Sequence, residues 1–236
     1  MQSDFNSIMA EQFEFVKALK QSNGKSAVVL RHKSLGTQIV KLSFEGNTSI
    51  YNILKNISHP NLPKIYSVRS CGKNCEVIEE YINGTTVADI LKSGLYTEDG
   101  VRSIIKSVCS ALDTLHSLNI IHRDIKPENI MIDSSGDVKL IDFDAARIFK
   151  SYQPQDTSFI GTAGFAAPEQ YGINQTDCRS DIFALGILMN VMLTGEHPSK
   201  KLCDGKLGKV IETCINIDPN KRYSNVRELV SKLYFD

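Results

Sequence analysis

An α+β fold of two lobes is the class this sequence predicts: a small β-rich lobe carrying one helix, then a larger, mainly helical lobe, with a cleft between them. Three observations predict it. Up to about residue 82 the apolar residues fall in short β-branched runs broken by turn residues, and beyond Asn83-Gly84 they recur at helical spacing. The 236 residues suffice for one domain with a substantial core or for two small lobes that share a cleft. The lobes then cover about residues 1–82 and 83–236, without internal repeats or a low-complexity linker.

Taken in order, residues 27–30 and 38–42 are rich in β-branched side chains and read as strands, with Gly36 marking the turn between them. Ile50, Ile53, Leu54 and Ile57 fall at i, i+3, i+4 and i+7, the apolar stripe of a helix, which His59-Pro60-Asn61 closes. Strands follow at about residues 62–68 and 76–81. Thr97 is placed to cap a long helix running to about Ser117, whose apolar face holds Val101, Ile104, Ile105, Val108, Ala111, Leu112 and Leu115. Two short strands, at residues 129–133 and 138–141, flank the turn Ser134-Ser135-Gly136-Asp137. A helix at residues 181–193 is apolar nearly all round and therefore expected to be buried, and a last helix spans about residues 225–233.

The composition narrows the function. Apolar residues make up 42% and the formal net charge is zero, so nothing points to a nucleic-acid or membrane surface. No apolar run reaches bilayer length, and the Met-Gln-Ser-Asp start lacks the features of a secretory signal. Six cysteines are scattered. Cys71 and Cys75 lack the second pair or histidine cluster that a tetrahedral metal site needs, so reduced thiols and a cytoplasmic location are expected.

The chemistry is carried by a constellation. Phosphoryl transfer requires metal ions to neutralise phosphate charge, a cation on the phosphates and a carboxylate to orient the attacking hydroxyl. His122-Arg123-Asp124 is followed five residues later by Asn129, and Asp142-Phe143-Asp144 lies thirteen residues beyond that, behind an apolar strand. Gly161-Thr162-Ala163-Gly164-Phe165 leads into Ala167-Pro168-Glu169. On these motifs the chain resembles the protein kinases over roughly residues 13–236. It is most similar to the serine/threonine-specific, compact bacterial type.

That resemblance implies a bilobal protein-kinase-like fold, a single kinase domain and use of ATP with Mg2+ or Mn2+ on protein substrates. It gives Asp124 the role of accepting the hydroxyl proton, Lys126 a contact to the γ-phosphate, and Thr162 a bridge to both. Asn129 and Asp142 become the metal ligands. Lys41 matches the strand lysine that meets the α- and β-phosphates. Glu80 and Ile82 would contact adenine through the backbone, with Glu79 at the back of the pocket, Val28 or Val29 above the ring and Met131 below it. Glu169 would pair with Arg222, and Asp181 would bind the backbone of the catalytic loop. A phosphate on the activation segment could pair with Arg123, with Thr157 or Ser158 favoured over Ser151 and Tyr152.

The chain departs from the family pattern in nucleotide positioning. Of the glycine-rich loop, Ser22-Asn23-Gly24 keeps one glycine. Ile39 stands where a small residue is usual, and Asp144 where glycine is usual. Ile50 occupies the position of the helix glutamate that pairs with Lys41, leaving Glu45 as the only nearby acid that could pair with it; otherwise the lysine must be held another way. The short stretch between Gly195 and Lys209 lacks a helix normally found there. These departures raise the alternative of a pseudokinase acting as a nucleotide-binding scaffold. Thr162 and Ala167-Pro168-Glu169 disfavour a small-molecule kinase.

Overall fold

The structure is a computed structural model that describes residues 2–22, 24–149, 162–171 and 176–234. The chain divides into two units, Met1–His59 with Pro63–Ile82, and Pro60–Leu62 with Asn83–Asp236.

In the first unit, helix α1 (Gln2–Gln12) leads into strands β1 (Phe13–Ser22), β2 (Lys25–His32) and β3 (Gln38–Glu45). Helix α2 (Ser49–Leu54) and strands β4 (Ile65–Cys71) and β5 (Asn74–Glu80) complete it. The five strands form one antiparallel sheet in the order β1-β2-β3-β5-β4. Gly36 adopts φ +70° in the β2–β3 turn, a left-handed conformation that strains any side chain. Val29, Val40, Ile65 and Val77 are buried, as are Ile50, Tyr51 and Leu54 of α2. Tyr51 meets the Phe44 ring at 5.6 Å. Helix α2 is shorter than its apolar stripe: Ile57 lies in the turn that follows, its N–H donating to the Leu54 carbonyl. Pro60 therefore acts after the helix has already stopped. Asn61 explains why residues 60–62 belong with the second unit. Its side-chain amide donates to the Val138 carbonyl at 2.8 Å, and its own carbonyl accepts from Leu140 N–H at 2.9 Å.

The second unit opens with β6 (Gly84–Thr86), α3 (Val87–Leu91) and α4 (Glu98–Ser117), then β7 (Ile120–Ile121), β8 (Ile130–Asp133), β9 (Val138–Leu140) and β10 (Arg147–Ile148). Helices α5 (Cys178–Thr194), α6 (Gly205–Cys214) and α7 (Val226–Tyr234) follow. Thr97 caps α4 as its sequence implies, accepting from Gly100 N–H at 3.2 Å. All seven apolar residues of the α4 stripe are buried. Helix α5 is buried along most of its length, ends at Gly195 in the left-handed conformation, and packs closely on α6, where a side chain at Gly186 would collide with Cys214.

No helix lies between Gly195 and Gly205. That connection is tied down instead by buried Asn190, whose amide donates to the carbonyls of Glu196 and Lys201 and whose carbonyl accepts from Cys203 N–H, each at 2.8 Å. Among the described residues Cys75, Cys109, Cys178, Cys203 and Cys214 are free thiols, and no helix is long and apolar enough to cross a membrane.

Candidate active site

The loop between β7 and β8 is fixed from below by a buried carboxylate. Asp181, fully buried on α5, accepts from the backbone N–H of His122 at 3.0 Å through Oδ2 and from that of Arg123 at 2.8 Å through Oδ1. His116 Nε2 adds a contact to Oδ2 at 2.8 Å. Burial alone would raise the Asp181 pKa, but the hydrogen bond and charge of His116, with His122 beyond, bring it below the ordinary value. Gln170 ties the same loop to the Ala167-Pro168-Glu169 turn: its Nε2 donates to the Arg123 carbonyl and its Oε1 accepts from Ala167 N–H. This brace carries no sequence motif.

Two non-glycine residues near the loop sit in left-handed backbone, Arg123 at φ 65° and Asp142 at φ 64°. Such conformations cost about 1–3 kcal/mol each and persist where surrounding contacts over-determine them. For Arg123 those contacts are Asp181 on its N–H, Gln170 on its carbonyl, and the bond from its own Nε to the Ala145 carbonyl at 2.8 Å. Burial, with the like charge of Arg147, brings the Arg123 pKa down to about 10.

Around Asp124 three side chains converge. Thr162 Oγ1 donates to Oδ1 at 2.6 Å, while Lys126 Nζ and Asn129 Nδ2 meet Oδ2 at 2.8 and 2.9 Å. Lys126 also donates to Thr162 Oγ1 at 2.7 Å, and Asn129 to the Asp124 backbone carbonyl at 2.8 Å. Burial would raise the Asp124 pKa. The hydrogen bonds from Lys126 and Thr162, the Lys126 charge and the Asn129 amide outweigh it, so the carboxylate lies below its usual range and is ionised at neutral pH.

The amide nitrogen of Asn129 is spent on Asp124, which leaves its oxygen as a donor for a cation. Asp142 could supply a second hard oxygen ligand; its Oδ1 accepts from Asp144 N–H at 3.3 Å. Two protein oxygens, with phosphate and water for the remainder, suit the way Mg2+ is held. Asp144 is not among the positive-φ residues, so no glycine is required there in this conformation. The neighbouring Phe143 ring meets His122 edge-on at 5.4 Å. Met131 lies on β8 opposite Thr86 and Lys139.

In the first unit, Glu45, the nearby acid that the sequence offers as a partner for Lys41, does not pair with it. Lys41 Nζ meets Glu76 Oε1 of β5 at 2.5 Å. Glu45 is exposed and lies opposite Asn74, four residues further along β3, roughly 13 Å from Lys41 at 3.3 Å per residue. Val28 lies directly opposite Lys41, whereas Val29 is fully buried opposite Val40 and so projects from the other face. Ile39 pairs with Glu80, and Val40 with Glu79. Glu80 N–H donates to the Lys64 carbonyl, and Ile82 is buried. Ser22 ends β1 opposite Lys25, and Gly24 turns at φ +80°. Asn23 lies outside the described residues, as do Ser151, Tyr152, Thr157 and Ser158.

Further along the second unit, Glu169 and Arg222 form a buried two-pronged pair, Nη1 to Oε1 at 2.6 Å and Nη2 to Oε2 at 2.9 Å. Ser180 Oγ adds a bond to Glu169 at 2.9 Å, which fixes the Pro168–Tyr171 turn against α5.

The family model described as "Protein kinase domain" matches residues 16–235. The serine/threonine-protein kinase PknB of Mycobacterium leprae is 31% identical over 181 residues, 71% of this chain and 29% of its own length. A "Probable serine/threonine-protein kinase" of Clostridium perfringens is 28% identical over 262 residues, 96% of this chain and 38% of its own. The serine/threonine-protein kinase MST20 of Pyricularia oryzae is 32% identical over 146 residues, 62% and 16% respectively. The chain thus spans less than two-fifths of the length of these relatives.

Proposed function

The chain belongs to the protein kinase family, and from that premise we propose that it transfers the γ-phosphate of ATP to a serine or threonine hydroxyl of a protein, with Mg2+ or Mn2+ as the resident cation. The observation that carries this reading is the Asp124 cluster, in which one carboxylate is held through both oxygens by Thr162, Lys126 and Asn129.

The roles follow from the chemistry. An ionised carboxylate at Asp124 orients the incoming hydroxyl and takes its proton as the bond to phosphorus forms. Lys126, beside it, places a positive charge where the transferred group gains negative charge. Asn129 and Asp142 would hold the cation, which when bound neutralises phosphate charge. Lys41 would contact the α- and β-phosphates. Thr162 links the Asp124 cluster to the segment ending at Glu169, which supports a docked polypeptide rather than a small alcohol as acceptor. A scaffold without turnover has no need of this cluster, and the carboxylate partner of Lys41 removes the main ground for that alternative.

The direct test is incubation of the chain with γ-labelled ATP, Mg2+ or Mn2+, and dephosphorylated casein. Label is expected on serine or threonine of the chain or of casein; no transfer with either metal overturns the reading. Arg123, its pKa brought down by burial and then by the like charge of Arg147, forms with Arg147 a cationic patch that a phosphate would relieve. Autophosphorylation is therefore expected at Thr157 or Ser158. Mass spectrometry that finds neither modified, or unchanged activity with alanine at both, removes this part of the proposal.

A further inference from the structure

The helix position that pairs with the phosphate-binding lysine elsewhere in the family is apolar Ile50 here, so the lysine needs another anchor. We propose that Glu76, on the strand next to Lys41, is the positioning residue that holds this lysine for the nucleotide phosphates. The inference rests on the reading of Lys41 as a phosphate contact.

The geometry is that of a cross-strand pair. Strands β3 and β5 run in unbroken antiparallel register from Ile39↔Glu80 to Glu45↔Asn74, which sets Lys41 opposite Ile78 and Ser43 opposite Glu76. Lys41 and Glu76 are therefore diagonal neighbours on one face of the sheet, within reach of long side chains. The small side chain of Ser43 sits opposite Glu76, and the two charged groups meet across the ladder, both largely shielded from solvent.

The other acids and the helix do not compete: Glu80, the other diagonal neighbour of Lys41, accepts from Lys64 N–H at 3.0 Å through Oε2. Glu45 shares the face but lies exposed at the far end of β3. Helix α2 packs through Tyr51 against Phe44, which projects from the opposite face of β3 to Lys41. Its sequence also supplies no acidic side chain, being Ser-Ile-Tyr-Asn-Ile-Leu. A glutamate borne by a strand is held by the sheet's own hydrogen bonds. The lysine is then anchored whatever the position of α2, and helix displacement is no longer a way to switch it off.

The experiment uses the full chain and two readouts. The first is the rate of Lys41 acetylation by sulfo-N-hydroxysuccinimide acetate without nucleotide, followed by mass spectrometry. Glu76→Gln should speed it several-fold, because the ammonium loses its counter-charge, and Glu45→Gln should leave it unchanged. The second is kcat/KM for ATP with casein as acceptor. Glu76→Gln should lower it at least tenfold, Glu76→Asp should recover part of the loss, and Glu45→Gln should stay within twofold of wild type. Adding Glu76→Gln to Lys41→Met should cost nothing further. A merely structural role predicts instead an additive loss in that double variant and no change in Lys41 acetylation. Wild-type transfer with Glu76→Gln within twofold overturns the inference alone; no transfer by the wild type brings down the kinase reading and this inference with it.

Discussion

Replacing Arg222 by alanine is expected to destabilise the second unit severely. The guanidinium pairs with both oxygens of Glu169, and its Nε, Nη1 and Nη2 also donate to the carbonyls of Asn216, Arg179 and Ile217. It stacks 4.9 Å from the Phe183 ring as well. Truncation leaves a Glu169 carboxylate that is 5% exposed, with the Ser180 hydroxyl still donating to its Oε1. Removing one partner of a buried pair costs about 3–5 kcal/mol. For a chain of this size that lowers the melting temperature by on the order of 10 °C. Thermal and urea unfolding followed by circular dichroism measure it. Glu169→Gln combined with Arg222→Met should lose less than the sum of the single changes, since no charge is then left unpaired. A loss under about 1 kcal/mol for Arg222→Ala, or additive behaviour of the pair, would refute the reasoning.

Two further outcomes follow from the buried groups beneath the loop. Asp181→Asn keeps the shape but offers one acceptor oxygen where the structure uses two, so kcat should fall about 10–100-fold, with the KM for ATP changed far less, because the loop rather than the nucleotide is released. Stability should also decline below about pH 6.5, the ordinary histidine value. Burial lowers the His122 pKa in the folded chain despite the opposing charges of Asp181, Asp124 and Asp142, so the unfolded chain binds the proton first and stability is lost as pH falls from the unfolded toward the folded pKa. Asp181, itself depressed, adds a second loss at lower pH, below the usual carboxylate value of about 3.9. Urea titrations at pH 7.5 and 5.5 should show the first loss in the wild type and a smaller one in His122→Phe.

What could be read from the sequence was the part in which neighbours in space are neighbours in the chain, or in which one periodic stripe meets one core. The α4 stripe with its Thr97 cap is such a case, and so is the apolar α5. Asp124, Lys126 and Asn129 lie within six residues of one another, so their convergence has a local signature. The partner of Lys41 has none. Glu76 lies 35 residues away and becomes its neighbour only through the β3–β5 register, which is not written in either strand alone. Nearness in the chain offers Glu45, which shares the face but not the reach. Helix α1 was missed because its 11 residues carry no sustained apolar stripe. The brace at Gln170 was missed because a lone glutamine after Ala167-Pro168-Glu169 has no periodic or charge pattern to mark it.

The central claim, that Asp124 is the carboxylate on which phosphoryl transfer turns, is tested most directly by comparing wild type with Asp124→Asn under saturating Mg2+ and ATP, measuring both kcat and the nucleotide dissociation constant. Asparagine keeps the size and can still accept from Thr162 or Lys126, but it cannot take a proton. The account predicts that kcat falls by about 10²–10⁴-fold, the range for loss of a general base, while nucleotide affinity stays within a factor of about three, since Asp124 is assigned no nucleotide contact. A kcat within a few-fold of wild type, measured on a chain of unchanged stability, would contradict it.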